Sequence, residues 1–63
     1  MISVITSVDE LDEIVQAMKR NQNNEYMTDA VEITVDRDED GPVIVITQQH
    51  LNDSRCDEVF EVR

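Results

Sequence analysis

Asp36-Arg37-Asp38-Glu39-Asp40-Gly41 is the stretch whose residue types and spacing come nearest to a chemical device. Carboxylates at the first, third and fifth positions with glycine at the sixth open a calcium loop of the EF-hand kind, where the side chains converge on one cation and the glycine permits a sharp turn. The match ends there. Position twelve, which in such a loop is a bidentate Glu, is Thr47, and an apolar run follows Gly41 where a helix would be needed. Asp36, Asp38 and Asp40 are thus candidate metal ligands for Ca²⁺ that need Glu39 or a partner to close the shell. A solvated acidic turn is the competing reading.

His50, Asp53 and Cys56 supply ligand types for zinc, yet a structural zinc site takes four ligands and the chain has one His and one Cys. The same pair suggests a thiol and its base. A lone Cys just before a strand more often fills space as a small apolar residue. Paired carboxylates such as Asp9 with Glu13, or Asp53 with Asp57, have no apolar setting to separate their pKa values and so no acid-base roles to assign. One Gly rules out a Gly-rich phosphate loop, and Asn52-Asp53-Ser54 is expected to match a glycosylation sequon by coincidence, since Met-Ile-Ser-Val-Ile-Thr shows no basic n-region or long apolar h-region. No catalytic set emerges, and a non-enzymatic role is expected.

Charge is the stronger signal. Fifteen acidic residues against five basic ones give a net charge of −10 over 63 residues. Affinity for phosphates comes from Lys and Arg, so direct binding to nucleic acid or to an anionic membrane is disfavoured. Basic protein surfaces and cations are the partners such a field attracts. Seven of the acids (Glu25, Asp29, Glu32, Asp36, Asp38, Glu39 and Asp40) fall between positions 25 and 40, where Arg37 is the single base. If Glu32 projects outward and Asp36, Asp38, Glu39 and Asp40 extend the row, the result is a ridge of carboxylates that imitates a phosphate backbone. The expected function is that of an inhibitor or modulator occupying a basic, nucleic-acid-handling protein, a DNA mimic of the kind phages and mobile elements make. A calcium module, a halophile-type acidic assembly domain and an antitoxin-like partner of a basic enzyme are the alternatives.

These residues need elements to hold them. Val31, Ile33 and Val35 alternate with Glu32, Thr34 and Asp36, which predicts a strand over Ala30 to Asp36. Val43 to Gln48 predicts its antiparallel partner, with the chain's single Gly and Pro in the connection. Upstream, Ser7-Val8-Asp9-Glu10 has the form of a capping box, and Leu11, Ile14, Val15 and Met18 fall on one helical stripe. Acids lead that helix and Lys19 and Arg20 close it, as its dipole favours; Asn21 to Asn24 end it, Asn tolerating the left-handed conformation of a helix C-terminus. Met1 to Thr6 reads as a short first strand, Gln49 to Asp57 as a polar loop, and Glu58 to Val62 as a last strand.

The expected fold is one small α+β domain over residues 1–63, in the order β-α-β-β-β, with one helix on one face of a mainly antiparallel sheet. Val43 to Ile46 is apolar on both sides, whereas a single helix covers one face. The second face is expected to be covered by a homodimer, by another protein, or by long polar side chains folded over it; an exposed edge strand is another route to a homodimer. A cytoplasmic location is expected from the single Cys and the lack of a leader.

Overall fold

The computed structural model describes residues 2–63, which form one α-helix and a three-stranded antiparallel sheet. The elements are α1 (Val8–Asn21), β1 (Met27–Asp38), β2 (Gly41–His50) and β3 (Glu58–Val62), with a single 3₁₀ turn at Ser54–Cys56. Sheet order follows chain order, β2 in the centre. The α+β class stands, but the helix comes first: residues 2–7 carry no strand, and position 1 lies outside the described residues. Ser7 caps α1 directly after the apolar Ile2, Val4 and Ile5, so no connection brings this segment alongside a sheet edge, and alternation without a ladder partner does not make a strand.

At the start of α1, Ser7 Oγ accepts from the Glu10 amide at 3.0 Å, half of a capping box. The other half is redirected, for Glu10 Oε2 accepts from the Thr6 hydroxyl. The helix ends without a left-handed residue: it unwinds through Asn23 N to Arg20 O and Asn24 N to Asn21 O bonds. Its inward stripe is Ile14, Ala17, Met18 and Asn21, all half-buried, while Leu11 and Val15 stay exposed. The buried side of the helix is thus rotated from the expected stripe.

The hairpin is longer than expected, with Asp38 opposite Gly41 and only Glu39 and Asp40 at the tip. Gly41 has φ +114 and no other described residue has positive φ, which excludes the primed two-residue turns and places the reversal strain on the one residue lacking a Cβ. Pro42, which has no N–H to donate, lies opposite Arg37 and beyond the reach of β3. Near the other end, three residues of β1 (Thr28, Asp29, Ala30) face Gln49 alone, a bulge fixed by the Thr28 hydroxyl, which donates to Gln49 O at 2.9 Å and accepts from the Ala30 amide.

Register assigns the faces. Val31, Ile33 and Val35 share one face with Gln48, Ile46 and Ile44 of β2 and with Glu58, Phe60 and Val62 of β3. The helix lies on this face, because the Gln48 side chain, 1% exposed, donates to Met18 O at 3.0 Å and accepts from Asn21 Nδ2 at 3.2 Å. Its cover does not span the sheet: exposure on this face is 1% at Val62, 7% at Ile46 and 65% at Ile33. On this side Gln48, Ile46 and Val62 are buried and Ile44 and Phe60 half-buried, whereas Glu58 and the apolar row of β1 are left bare.

On the opposite face stand Glu32, Thr34, Asp36 and Asp38 with Val43, Val45, Val59 and Glu61. A long polar side chain, one of the coverings expected there, lies over part of this face, while Val59 stays exposed. Arg63, one residue beyond β3 and in line with Val43, pairs with Asp38 on the far strand, so its side chain crosses the end of β2 and Val43 is buried. Among the described residues no helix is long and apolar enough to cross a membrane.

Candidate functional site

Period-two geometry sets Glu32, Asp36 and Asp38 on one face of β1, with Thr34 completing the row. Alternate residues of a strand stand about 6.8 Å apart, so the carboxylates of Asp36 and Asp38 are neighbours and Glu32 is two such steps from Asp36. Glu61 joins the face from β3, level with Thr34 across β2. Glu39 and Asp40 form the hairpin tip. Arg37 alternates to the other face and does not neutralise the row.

Each acid is held differently. Asp36 Oδ1 accepts from the Arg37 amide at 2.7 Å, and Asp38 Oδ1 from the Asp40 amide at 2.9 Å, the local turns that short acids favour. Arg63 also binds Asp38 and Glu61, its Nη2 lying 2.9 Å from Glu61 Oε2, with Asp40 at 4.0 Å. The Arg63 guanidinium and the Asp40 amide hold the Asp38 carboxyl below its ordinary value, and Asp38 with Glu61 raises Arg63 in turn. Arg63 therefore offsets part of the ridge. Glu32, Asp36 and Glu39 have no cationic partner among the described residues.

The calcium-loop pattern does not gather its ligands. Asp36 turns to a backbone amide, Asp38 to Arg63 and Asp40 into solvent, and among the described residues no group of three or more His, Cys, Asp or Glu side chains converges. The strand that follows Gly41 draws the chain straight, where a closed loop would have to curl around the ion.

His50, Asp53 and Cys56 come close in sequence and serve the loop between β2 and β3. His50 Nδ1 accepts from the amides of Asn52 at 3.2 Å and Asp53 at 3.0 Å, which places the ring proton on Nε2, and the ring stacks on Tyr26 with centroids 5.8 Å apart. Asp53 is engaged by its neighbours, accepting from Arg55 Nε and Nη2 at 3.1 Å and from the Arg55 amide, and these bonds lower its pKa. Asp57 Oδ1 accepts from the His50 amide at 2.7 Å. Cys56 is exposed rather than an apolar filler, and the imidazole nitrogen that accepts is already occupied. Among the described residues no concave pocket forms around it.

Two contributors escape a reading of the residues alone. Gln48 is a polar side chain at an inward strand position, and its parity with Ile44 and Ile46 was the available signal. Arg63 shares the parity of Glu61, which would have aimed it at the acidic face. Compared with protein-family models, curated proteins and solved structures, the chain matches none.

Proposed function

We propose that this chain is a non-enzymatic acidic binding protein that occupies a basic, nucleic-acid-handling protein surface by charge mimicry and so inhibits or modulates it. The observation that carries this reading is the shared face of Glu32, Asp36 and Asp38 on β1, continued by Glu39 and Asp40 at the tip, against which Arg63 is the one cation set among the described residues. A rigid strand holds the carboxylates at regular intervals, so a groove lined by Lys and Arg meets fixed charges and little side-chain order is lost on binding. The acids outside this ribbon add to the field that steers a cationic partner inward. Small acidic proteins of phages and mobile elements form the class this description fits.

Affinity capture with the full chain tests it. Lysate proteins retained at about 0.05 M salt and released by about 0.5 M are expected to be basic, with heparin or duplex DNA displacing them. Glu32→Lys with Asp36→Lys, at two exposed positions, is expected to weaken capture by roughly tenfold or more. Retention of only neutral or acidic proteins, or of basic proteins that still hold duplex DNA while bound, would overturn the proposal.

A further inference from the structure

The free edge of β1 has a defined hydrogen-bonding phase. Pro42 lacks an N–H, so Arg37 and Pro42 form a non-hydrogen-bonded pair and the even residues of β1 point their backbone groups at β2. Two bonds agree: Thr28 Oγ1 donates to Gln49 O on the β1 side of β2, and the His50 amide donates to Asp57 on the β3 side. The odd residues of β1 consequently point outward. Arg37 directs its amide to the Asp36 carboxylate at 2.7 Å, while the N–H and C=O groups of Val31, Ile33 and Val35 have no partner among the described residues. Beside them the same three side chains are exposed on the helix-bearing face, a combination that edge strands normally avoid.

We infer that a second copy of this chain pairs with that edge, β1 against β1 in antiparallel register about a two-fold axis through Ile33. Such an axis stands perpendicular to the sheet, so each possible register is named by the residue opposite itself. Centring on Thr34 sets Glu32 opposite Asp36 of the second copy and calls on the Arg37 amide already taken; centring on Val35 sets Glu32 opposite Asp38. Like charges directly opposite are destabilising. Centring on Ile33 sets Val31 opposite Val35 and Glu32 opposite Thr34. All three free N–H and all three free C=O groups of each chain are then satisfied. Arg37 comes alongside the bulge that carries Asp29 of the second copy, the one opposite-sign pairing this edge can make.

Area agrees with an unfinished surface. The chain exposes 4852 Å² where a folded monomer of 7.3 kDa is expected to expose roughly 4,200 Å². That excess is of the order that one partner buries in a standard interface, about 800 Å². The sheet would become six-stranded, and the axis keeps equivalent faces together, so Glu32, Asp36 and Asp38 of both copies share one side. The pairing rests on the edge and not on the proposed basic partner.

Sedimentation equilibrium and amide hydrogen exchange of the full chain at about 0.3 M salt test the pairing. A dimer is expected, with the amides of Val31, Ile33 and Val35 gaining protection as concentration rises. Ile33→Lys, at a position already exposed, is expected to give a folded monomer by circular dichroism. Arg37→Asp is expected to weaken association by roughly tenfold, and Arg37→Asp with Asp29→Arg, which leaves net charge unchanged, to restore it. A wild-type chain still monomeric at several hundred micromolar would overturn the inference. So would a dimer in which those three amides stay unprotected, or one that the charge exchange fails to restore.

Discussion

Gln48 shows how one side chain can fix a layer. No residue of α1 is buried, so apolar packing alone holds the helix weakly, and the Gln48 amide ties together Met18 O, Asn21 Nδ2 and, at 3.2 Å, Thr28 O. Gln48→Leu keeps the volume and removes these bonds, leaving Thr28 O without its buried donor. A loss of about 1–3 kcal/mol is expected in urea unfolding. Stability equal to the wild type would mean that the helix is held otherwise. Asp38 acts on the opposite face, its folded pKa lowered chiefly by Arg63. A lowered carboxyl pKa contributes stability that is fully present above the unfolded value and is lost as pH falls through the folded one. Arg63→Gln is therefore expected to move the Asp38 carboxyl titration, followed by carbon-13 NMR, up toward 3.8 and to remove that part of the acid sensitivity. An unchanged titration would show that the Asp40 amide alone sets the shift.

Among the elements, the hairpin was the most legible, because alternation in β1 and the Gly-Pro punctuation act within a few residues. The tip depends on Gly41: Gly41→Ala has free space for its methyl, so any cost comes from φ +114 alone. A loss of about 1–3 kcal/mol is expected for L-Ala and little for D-Ala, a comparison within reach of chemical synthesis for 63 residues. Equal losses for the two would place the cost elsewhere. The helix was legible in its cap and charges but not in its buried stripe, since Leu11 and Ile14 are alike to a periodicity and only the placement of Gln48 decides which side turns inward. Met1 to Thr6 misled for the converse reason: strand composition is local, whereas the edge that would accept the strand is a property of the assembled sheet. Of the candidate site, the common face of Glu32, Asp36 and Asp38 follows from period two, while the crossing of Arg63 from a third strand depends on register that no local pattern contains.

The whole molecule carries −10 on a body of 36 × 24 × 17 Å, so many like charges lie within the ~30 Å over which fields persist at 0.01 M salt. Self-repulsion destabilises the compact state, and among the described residues the core that opposes it contains only Val43, Ile46 and Val62 as buried apolar residues. Raising salt to about 0.3 M shortens the screening length to roughly 6 Å, shorter than the spacing of alternate strand residues, and relieves most of this repulsion. The melting temperature is therefore expected to rise by several degrees over that range in sodium chloride, where ion pairs such as Asp53 with Arg55 alone would predict a fall. Ionic strength also separates the two kinds of association by sign. Pairing of two acidic copies through β1 must first overcome the repulsion between them and is strengthened by screening, whereas capture of a basic partner by the acidic row is weakened by it. A melting temperature that stayed flat or fell with salt would mean that the acids are dispersed well enough not to oppose folding, and the same dispersal would deprive the ribbon of the field on which recognition of a cationic surface depends.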